Sequence, residues 1–166
     1  MTRLDSAIRR LTAQRACLDR AIGLIADVPG PVLELGLGNG RTYDHLRCRL
    51  PDREIFVFDR KVAAHPDCVP DADHLILGNF EDALPAAAAA RLPAKAALAH
   101  CDIGSGDKAA SALLARNIAP LLALLLAPGA IVAGDQDMGS AGWRALPLPP
   151  DVAPGRYYLY RVERKS

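Results

Sequence analysis

Seven residues, Glu34-Leu35-Gly36-Leu37-Gly38-Asn39-Gly40, follow the apolar stretch Pro31-Val32-Leu33 and carry the most specific chemistry of this 166-residue chain. An apolar run that ends in an acid and three alternating glycines is a strand delivered into a tight turn. Glycine permits positive φ and lets a ligand touch backbone where a Cβ would block it. Arg41-Thr42-Tyr43-Asp44-His45-Leu46 then opens a helix, whose unpaired N–H groups and positive dipole end favour an anion lying across the turn. Nucleotide phosphates, pyrophosphates and a free amino-acid carboxylate all fit that description. Spacing narrows the choice, because glycines at 36, 38 and 40 place the third one residue too early for G-x-G-x-x-G. No lysine and hydroxyl residue complete G-x-x-x-x-G-K-[ST], so a phosphate-cradling P-loop is excluded.

Four later segments repeat the pattern of an apolar run with a polar end. Ile55-Phe56-Val57-Phe58 ends in Asp59, nineteen residues after Gly40, near the distance at which a doubly wound fold sets a carboxylate over a ribose. Leu75-Ile76-Leu77 runs into Gly78-Asn79-Phe80, Ala97-Leu98-Ala99-His100-Cys101 into Asp102, and Leu126-Ala127-Pro128-Gly129-Ala130-Ile131-Val132-Ala133-Gly134 into Asp135.

The acid-x-G-x-G-x-G turn, and these five segments in this order, resemble class I S-adenosylmethionine-dependent methyltransferases, whose frequent L-x-P-G-G turn is similar to the segment from Leu126. The resemblance implies an α/β fold with a doubly wound, mostly parallel, Rossmann-like sheet, and S-adenosyl-L-methionine as the cofactor. It implies cofactor contacts from Glu34, Gly36, Leu37, Gly38, Asn39, Gly40 and Thr42 around the turn. Asp59 and Arg60 would follow on the ribose side, Asn79 and Phe80 on the adenine side, and Asp102 after the fourth strand. Asn79 stands where the family often has an acid, and an amide still hydrogen-bonds an adenine edge.

Methyl transfer needs alignment and exclusion of water more than a catalytic group, since the methyl is already activated. Where the acceptor must lose a proton, the candidate bases are Asp102, Asp135 and His100. Asp102 with Asp135 and Gln136 is also similar to the magnesium site of catechol-type O-methyltransferases, with Asp137 as a further oxygen donor. Strand-end acids are common in open α/β folds, and the main reading assigns no metal. The alternatives are an NAD-dependent oxidoreductase of Rossmann type, which needs the same Asp59 and a different glycine spacing, and a non-catalytic S-adenosylmethionine-binding protein.

Composition fits one domain, residues 1–166, long enough to bury roughly 70% of its unfolded surface. Twenty basic and nineteen acidic side chains give +1, which offers little field for nucleic acid or an anionic membrane. A small-molecule substrate is expected, with no nucleic-acid or membrane partner. Cys17, Cys48, Cys68 and Cys101 form no C-x-x-C, and the start lacks an apolar signal core, so a reducing, cytoplasmic location is expected.

Leu4, Ile8, Leu11, Leu18, Ile22 and Ile25 recur at helical spacing and predict a first helix over 4–27. Its arginines (Arg3, Arg9, Arg10, Arg15, Arg20) are expected to be a solvated face. The alanine run 86–90 predicts a helix from Glu81 to Leu92 with Pro85 in its first turn. Asp107 to Leu126 is helical in pattern, with a kink or break expected near Asn117 ahead of Pro120. After Asp135, seven glycines and prolines leave room for a short turn and a brief strand within Trp143–Leu148, and Arg156–Glu163 suits a final edge strand. The C-terminal part is thus shortened, and acceptor contacts fall to strand-end loops or to a second subunit of a homo-oligomer.

Other residues have blander expectations. Tyr43 either covers the cofactor or packs on the sheet, His45 lies on a helix surface, and Trp143 is a core or lid aromatic. His65, Cys68 and His74 are too irregularly spaced for zinc. The N-P-P-[YF] tetrad and the Pro-Cys dipeptide, which would name a nucleic-acid base as acceptor, are absent.

Overall fold

A computed structural model describes residues 2–90, 92 and 94–163. Helix α1, Arg3–Leu24, starts at a capping box in which Thr2 and Asp5 satisfy each other's backbone donors. It ends at Leu24 instead of residue 27, where the Ile25 N–H still reaches Ala21. Strand β1, Val32–Leu35, leads into α2, Arg41–Arg49, and β2, Ile55–Asp59, follows. Next come β3, Leu75–Leu77, α3, Phe80–Ala90, β4, Ala96–Cys101, and α4, Lys108–Ala123. The chain closes with β5, Leu126–Gly134, β6, Arg144–Ala145, and β7, Tyr158–Arg161.

The strands form a seven-stranded sheet in the order β3-β2-β1-β4-β5-β7-β6, with β7 antiparallel to both its neighbours. Every residue of β1 and of β4 is buried, as the middle strands of a sheet covered on both faces must be. On one face Leu18, Ile25 and Leu46 of the α1–α2 side pack against Val32, Val57, Leu98 and Ile131. On the other, Leu84, Ile118 and Leu122 of α3 and α4 meet Leu33, Phe56, Phe58 and Val132.

Three sequence expectations are corrected. The strand within 156–163 is not at the edge. It inserts between β5 and β6, pairing Val132 with Tyr160 and Ala145 with Tyr160, and its alternating apolar residues are consumed by the two faces: Leu159 by one, Tyr160 by the other. Helix α4 runs unbroken through Pro120. An interior proline costs about 3 kcal/mol, but Ile118 and Leu122 are fully buried beside it, each giving about 1.5–3 kcal/mol. Pro120 itself faces solvent. Finally, α3 begins at Phe80, so Pro85 sits beyond the first turn.

The registers put the polar strand ends in one row. Leu35 lies opposite both Phe58 and Cys101, and Cys101 opposite Gly134, so Gly36, Asp59, Asp102 and Asp135 emerge side by side at the carboxyl edge. Ladder bonds continue across that row: Gly36 N–H donates to Phe58 O at 2.8 Å and Asp102 N–H to Leu35 O at 2.9 Å.

Candidate functional site

The glycine turn is shaped by its neighbours. Gly36 has φ +94°, and a Cβ there would lie 2.2 Å from the backbone oxygen of Asp102, so β1 and β4 approach this closely only because the residue is glycine. At Gly38 the same construction meets nothing within 4 Å. A side chain there would enter open cleft, which is the mark of a backbone cradle. Asp59 braces this turn from β2. Its Oδ2 accepts from Leu37 N–H at 2.8 Å and Gly38 N–H at 3.2 Å, while Oδ1 has only the longer Lys61 N–H at 3.3 Å.

A cleft of about 530 Å³ opens along the row of strand ends, and Gly36, Gly38, Asp59, Arg60, Asn79, Phe80 and Asp102 all line it, with Ile103 to Ser105 and the start of α4 closing the far wall. Seven expected cofactor contacts are thereby brought together. A smaller cavity of about 130 Å³ adjoins it through Gly38 and Asp102, and holds Leu37, Asn39, Thr42 and Arg41 on one side and Arg10, Leu11 and Gln14 of α1 on the other. Gln14 was not expected. It is 4% exposed, and its Nε2 donates to Asp102 Oδ2 at 2.9 Å, fixing that carboxylate at the junction of the two spaces. Its signal is an amide inside the buried stripe Ala13, Cys17, Leu18 and Ala21.

Two expected residues, Glu34 and His100, are placed elsewhere, and Thr42 at the edge of the smaller cavity is tied to them. Glu34 and His100 are fully buried, and Thr42 nearly so. Thr42 Oγ1 donates to Glu34 Oε1, Glu34 Oε2 lies 2.7 Å from His100 Nδ1, and His100 Nε2 meets the Tyr157 hydroxyl. Glu34 is thus not exposed to the large cleft, and His100 is not available to an acceptor as a base. Both belong to a buried polar chain beneath the site, whose groups must satisfy one another because no water can. Burial alone would push the His100 imidazole down. The charge and hydrogen bond of Glu34, with Asp102 and Asp135 behind it, carry it above its ordinary value instead. Burial and the charges of Asp102 and Glu34 hold the Tyr157 phenol protonated far above its usual range.

Asp135 is also occupied. Its Oδ1 accepts from Ile103 N–H at 3.1 Å, and its Oδ2 from Gly104 N–H at 2.9 Å and Gln136 Nε2 at 3.2 Å. A Cβ at Gly104 would fall 2.1 Å from Asp135 Oδ2, so the β4–α4 loop is folded around this carboxylate. Burial raises its pKa, and the hydrogen bonds only partly offset that. Among the described residues no three His, Cys, Asp or Glu side chains are grouped to hold a metal. Asp137 turns away to Tyr160 and its own loop. His74 contacts Asp71 and Glu54, and Cys68 packs under Gly40, so the His65, Cys68 and His74 set is scattered. Tyr43 is half-buried under the Arg47 guanidinium, 5.5 Å from its ring centre, on the side of α2 away from the cleft.

The cleft gathers the braced Asp59 carboxylate at one side and Phe80 and Ile103 along its wall. It also offers a backbone cradle, and a second carboxylate with arginines at the far end. No described helix is long and apolar enough to cross a membrane. Residues 1–162 match the model of a family described as S-adenosyl-L-methionine methyltransferase. An S-adenosyl-L-methionine methyl transferase from Silicibacter pomeroyi DSS-3 is 46% identical over 97% of this chain and 98% of its own, with a TM-score of 0.90. MycE methyltransferase of the mycinamycin biosynthetic pathway, solved with Mg and SAH, is similar at 18% identity over 95% of this chain and 48% of its own, TM-score 0.60. The 16S rRNA (adenine(1408)-N(1))-methyltransferase from Catenulisporales acidiphilia is similar at 14% identity over 88% and 91%, TM-score 0.52. These last two likenesses are of fold alone. No curated protein matches the chain.

Proposed function

Since this chain belongs to the S-adenosyl-L-methionine methyltransferase family and is an enzyme of that class, we propose that the cleft at the strand ends holds the cofactor and that the acceptor is a small molecule. The NAD-dependent alternative is not favoured by these likenesses. The observation that carries the assignment is the braced Asp59 carboxylate at the rim of a cleft that narrows, past Gly38 and Asp102, into a cavity edged by arginine.

Bound S-adenosyl-L-methionine supplies a methyl group already activated on a sulfonium. Asp59 would accept hydrogen bonds from the ribose hydroxyls, and Asn79, Phe80 and Ile103 would hold the adenine. The turn at Gly36–Gly38 would let backbone meet the ligand, and Arg10 and Arg41, which line the smaller cavity, would hold its amino-acid carboxylate. Of the three candidate bases, Asp102 lines both spaces, so a proton released by the acceptor goes to it. Asp135 holds the loop that walls the cleft, and His100 with Glu34 holds the start of α2 from below. The four free thiols suit a cytoplasmic location. A homo-oligomer completes the reading, because it would cover Leu113 and Leu124, which α4 and its end leave more than half exposed. Light scattering tests that part.

Thermal unfolding with S-adenosylmethionine, S-adenosylhomocysteine, NAD and NADP tests the site. A ligand at 100 times its dissociation constant adds about 2.7 kcal/mol, or roughly 5–10 °C for a chain of this size. A rise with the two adenosyl ligands alone is expected, and a rise with NAD or NADP would overturn the assignment. A binding-only protein would retain S-adenosylmethionine without forming S-adenosylhomocysteine when acceptors are offered.

A further inference from the structure

The net charge of +1 conceals an uneven distribution. Residues 62–90 hold Asp67, Asp71, Asp73, Glu81 and Asp82 and no lysine or arginine, whereas α1 carries Arg3, Arg9, Arg10, Arg15 and Arg20 against Asp5 and Asp19. Those arginines, and Asp73, Glu81 and Asp82, enter no ion pair among the described residues. Helix α1 runs from the carboxyl edge, where Gln14 meets Asp102, to the opposite edge, where Arg53 binds the Ile25 carbonyl just before β2. Its first turns, Arg3 to Thr12, therefore stand beyond the sheet over about 15 Å, and none of these residues is buried. A helix of that length gains little stability from its own hydrogen bonds in water. Leu4, Ile8 and Leu11 recur at i, i+4 and i+7 on one side of it, with Leu4 69% and Ile8 54% exposed.

A second open surface lies at the far end of the sheet. Strand β3 is the last strand there and its outer edge is unpaired. A groove of about 540 Å³ runs beside it, between Leu75, Leu77 and the α3 alanines Ala83, Ala86 and Ala90, with Asp82 on its wall and Leu77 56% exposed. Asp73 and Glu81, both exposed, adjoin its lining residues in the chain. An open apolar edge strand invites another chain unless something covers it.

We propose that the α1 overhang of one chain docks in the β3–α3 groove of a second copy, Leu4 and Ile8 against Leu77 and the alanines, Arg3 and Arg9 beside Asp73 and Asp82. Charge selects this pairing. Two overhangs repel each other and so do two grooves, whereas overhang and groove attract, and an amphipathic helix seats its apolar side in such a groove. Exchanged reciprocally, the contact closes a two-fold dimer; passed on in one direction, it builds a ring or chain. It is distinct from the α4 face of Leu113 and Leu124. It also touches both ends of the candidate site: Arg10 and Leu11, at the root of the overhang, line the smaller cavity, and the groove reaches Gly78, next to Asn79 of the cleft wall.

Sedimentation velocity on the full chain, at rising micromolar concentration, should show a reversible shift from monomer to larger species. Leu4→Ser with Ile8→Ser, at exposed positions, should weaken association by about tenfold or more. Arg3→Glu with Arg9→Glu should abolish it, and so should Asp73→Lys with Asp82→Lys, while melting curves establish that each variant is folded. Mixing the last two variants should restore association, because the acidic helix of one then meets the basic groove of the other, and the basic helix of the second meets the acidic groove of the first. A native chain that stays monomeric, or a mixture that stays apart, would overturn the contact. Association lost in Leu113→Ser with Leu124→Ser but kept in Leu4→Ser with Ile8→Ser would also overturn it, and would leave the α4 face as the interface. Sedimentation of the native chain with phosphatidylglycerol vesicles, abolished by the Leu4 and Ile8 changes, would give the overhang to a membrane instead of a second copy.

Discussion

Asp59 joins the end of β2 to the glycine turn through two backbone amides and still presents Oδ1 to the cleft. Removing it deletes a charged hydrogen-bond partner worth about 1.5–3 kcal/mol. Asp59→Ala should therefore weaken S-adenosylhomocysteine roughly 10- to 100-fold by calorimetry, and unchanged affinity would refute the ribose role. Gly36 and Gly38 separate folding from binding. Both have positive φ, so alanine costs about 1–2 kcal/mol at either. At Gly36 the new Cβ also meets a backbone oxygen that cannot yield, whereas at Gly38 it meets open space. Gly36→Ala should lower the melting temperature well beyond Gly38→Ala, and Gly38→Ala should lose cofactor affinity while staying folded. Equal melting temperatures would show that β1 and β4 have room to separate.

Elements are held in place around the site by the buried chain of Thr42, Glu34, His100 and Tyr157, which links α2, β1, β4 and the entry to β7. His100→Leu would leave Glu34 buried without its counter-charge, a loss of about 3–5 kcal/mol, whereas Glu34→Gln with His100→Leu removes both charges and should recover part of it. Denaturant midpoints for the two variants check this, and a double variant weaker than the single would disprove the pairing. Pro120→Ala, on the exposed side of α4, should raise the midpoint, by up to about 3 kcal/mol, since it restores a helix bond and removes a clash. The strand ends were legible because each apolar run stops at a residue that a covered sheet would not bury, as at Asp59 and Asp102. The place of β7, the continuity of α4 and the partners of Glu34 were not. Periodicity tells which residues are buried, but not which strand lies beside which, and a buried acid shows its partner only once β1 and β4 are adjacent. Gln14 was hidden for the same reason: its carboxylate is 88 residues away.

At the scale of the whole molecule these shifted groups give stability a slope with pH. His100 has a folded pKa above its ordinary 6.5, held there by Glu34 against burial. A folded state that binds its proton more tightly than the unfolded chain gains stability fully below pH 6.5 and loses it as pH rises through the folded value. Asp135, raised from 3.8 by burial, has the same sign: its contribution is complete below 3.8 and is lost as pH rises through the folded value. Asp5, Asp71 and Asp137 are lowered by hydrogen bonds and oppose this, since their contribution holds above 3.8 and is lost as pH falls. They lie at the surface, where water and salt screen them; His74, raised by its hydrogen bond to Asp71 and by Glu54, adds a screened slope of the same sign as that of the fully buried His100 near neutrality. Unfolding free energy should therefore decline from pH 6.5 upward in the native chain. In the Glu34→Gln, His100→Leu double variant the decline should flatten, because neither state then exchanges a proton at these positions. Chemical denaturation at several pH values from 5.5 to 8.5 measures both curves, and parallel slopes would mean that His100 is neutral in the folded protein and that its bond to Glu34 is an ordinary hydrogen bond.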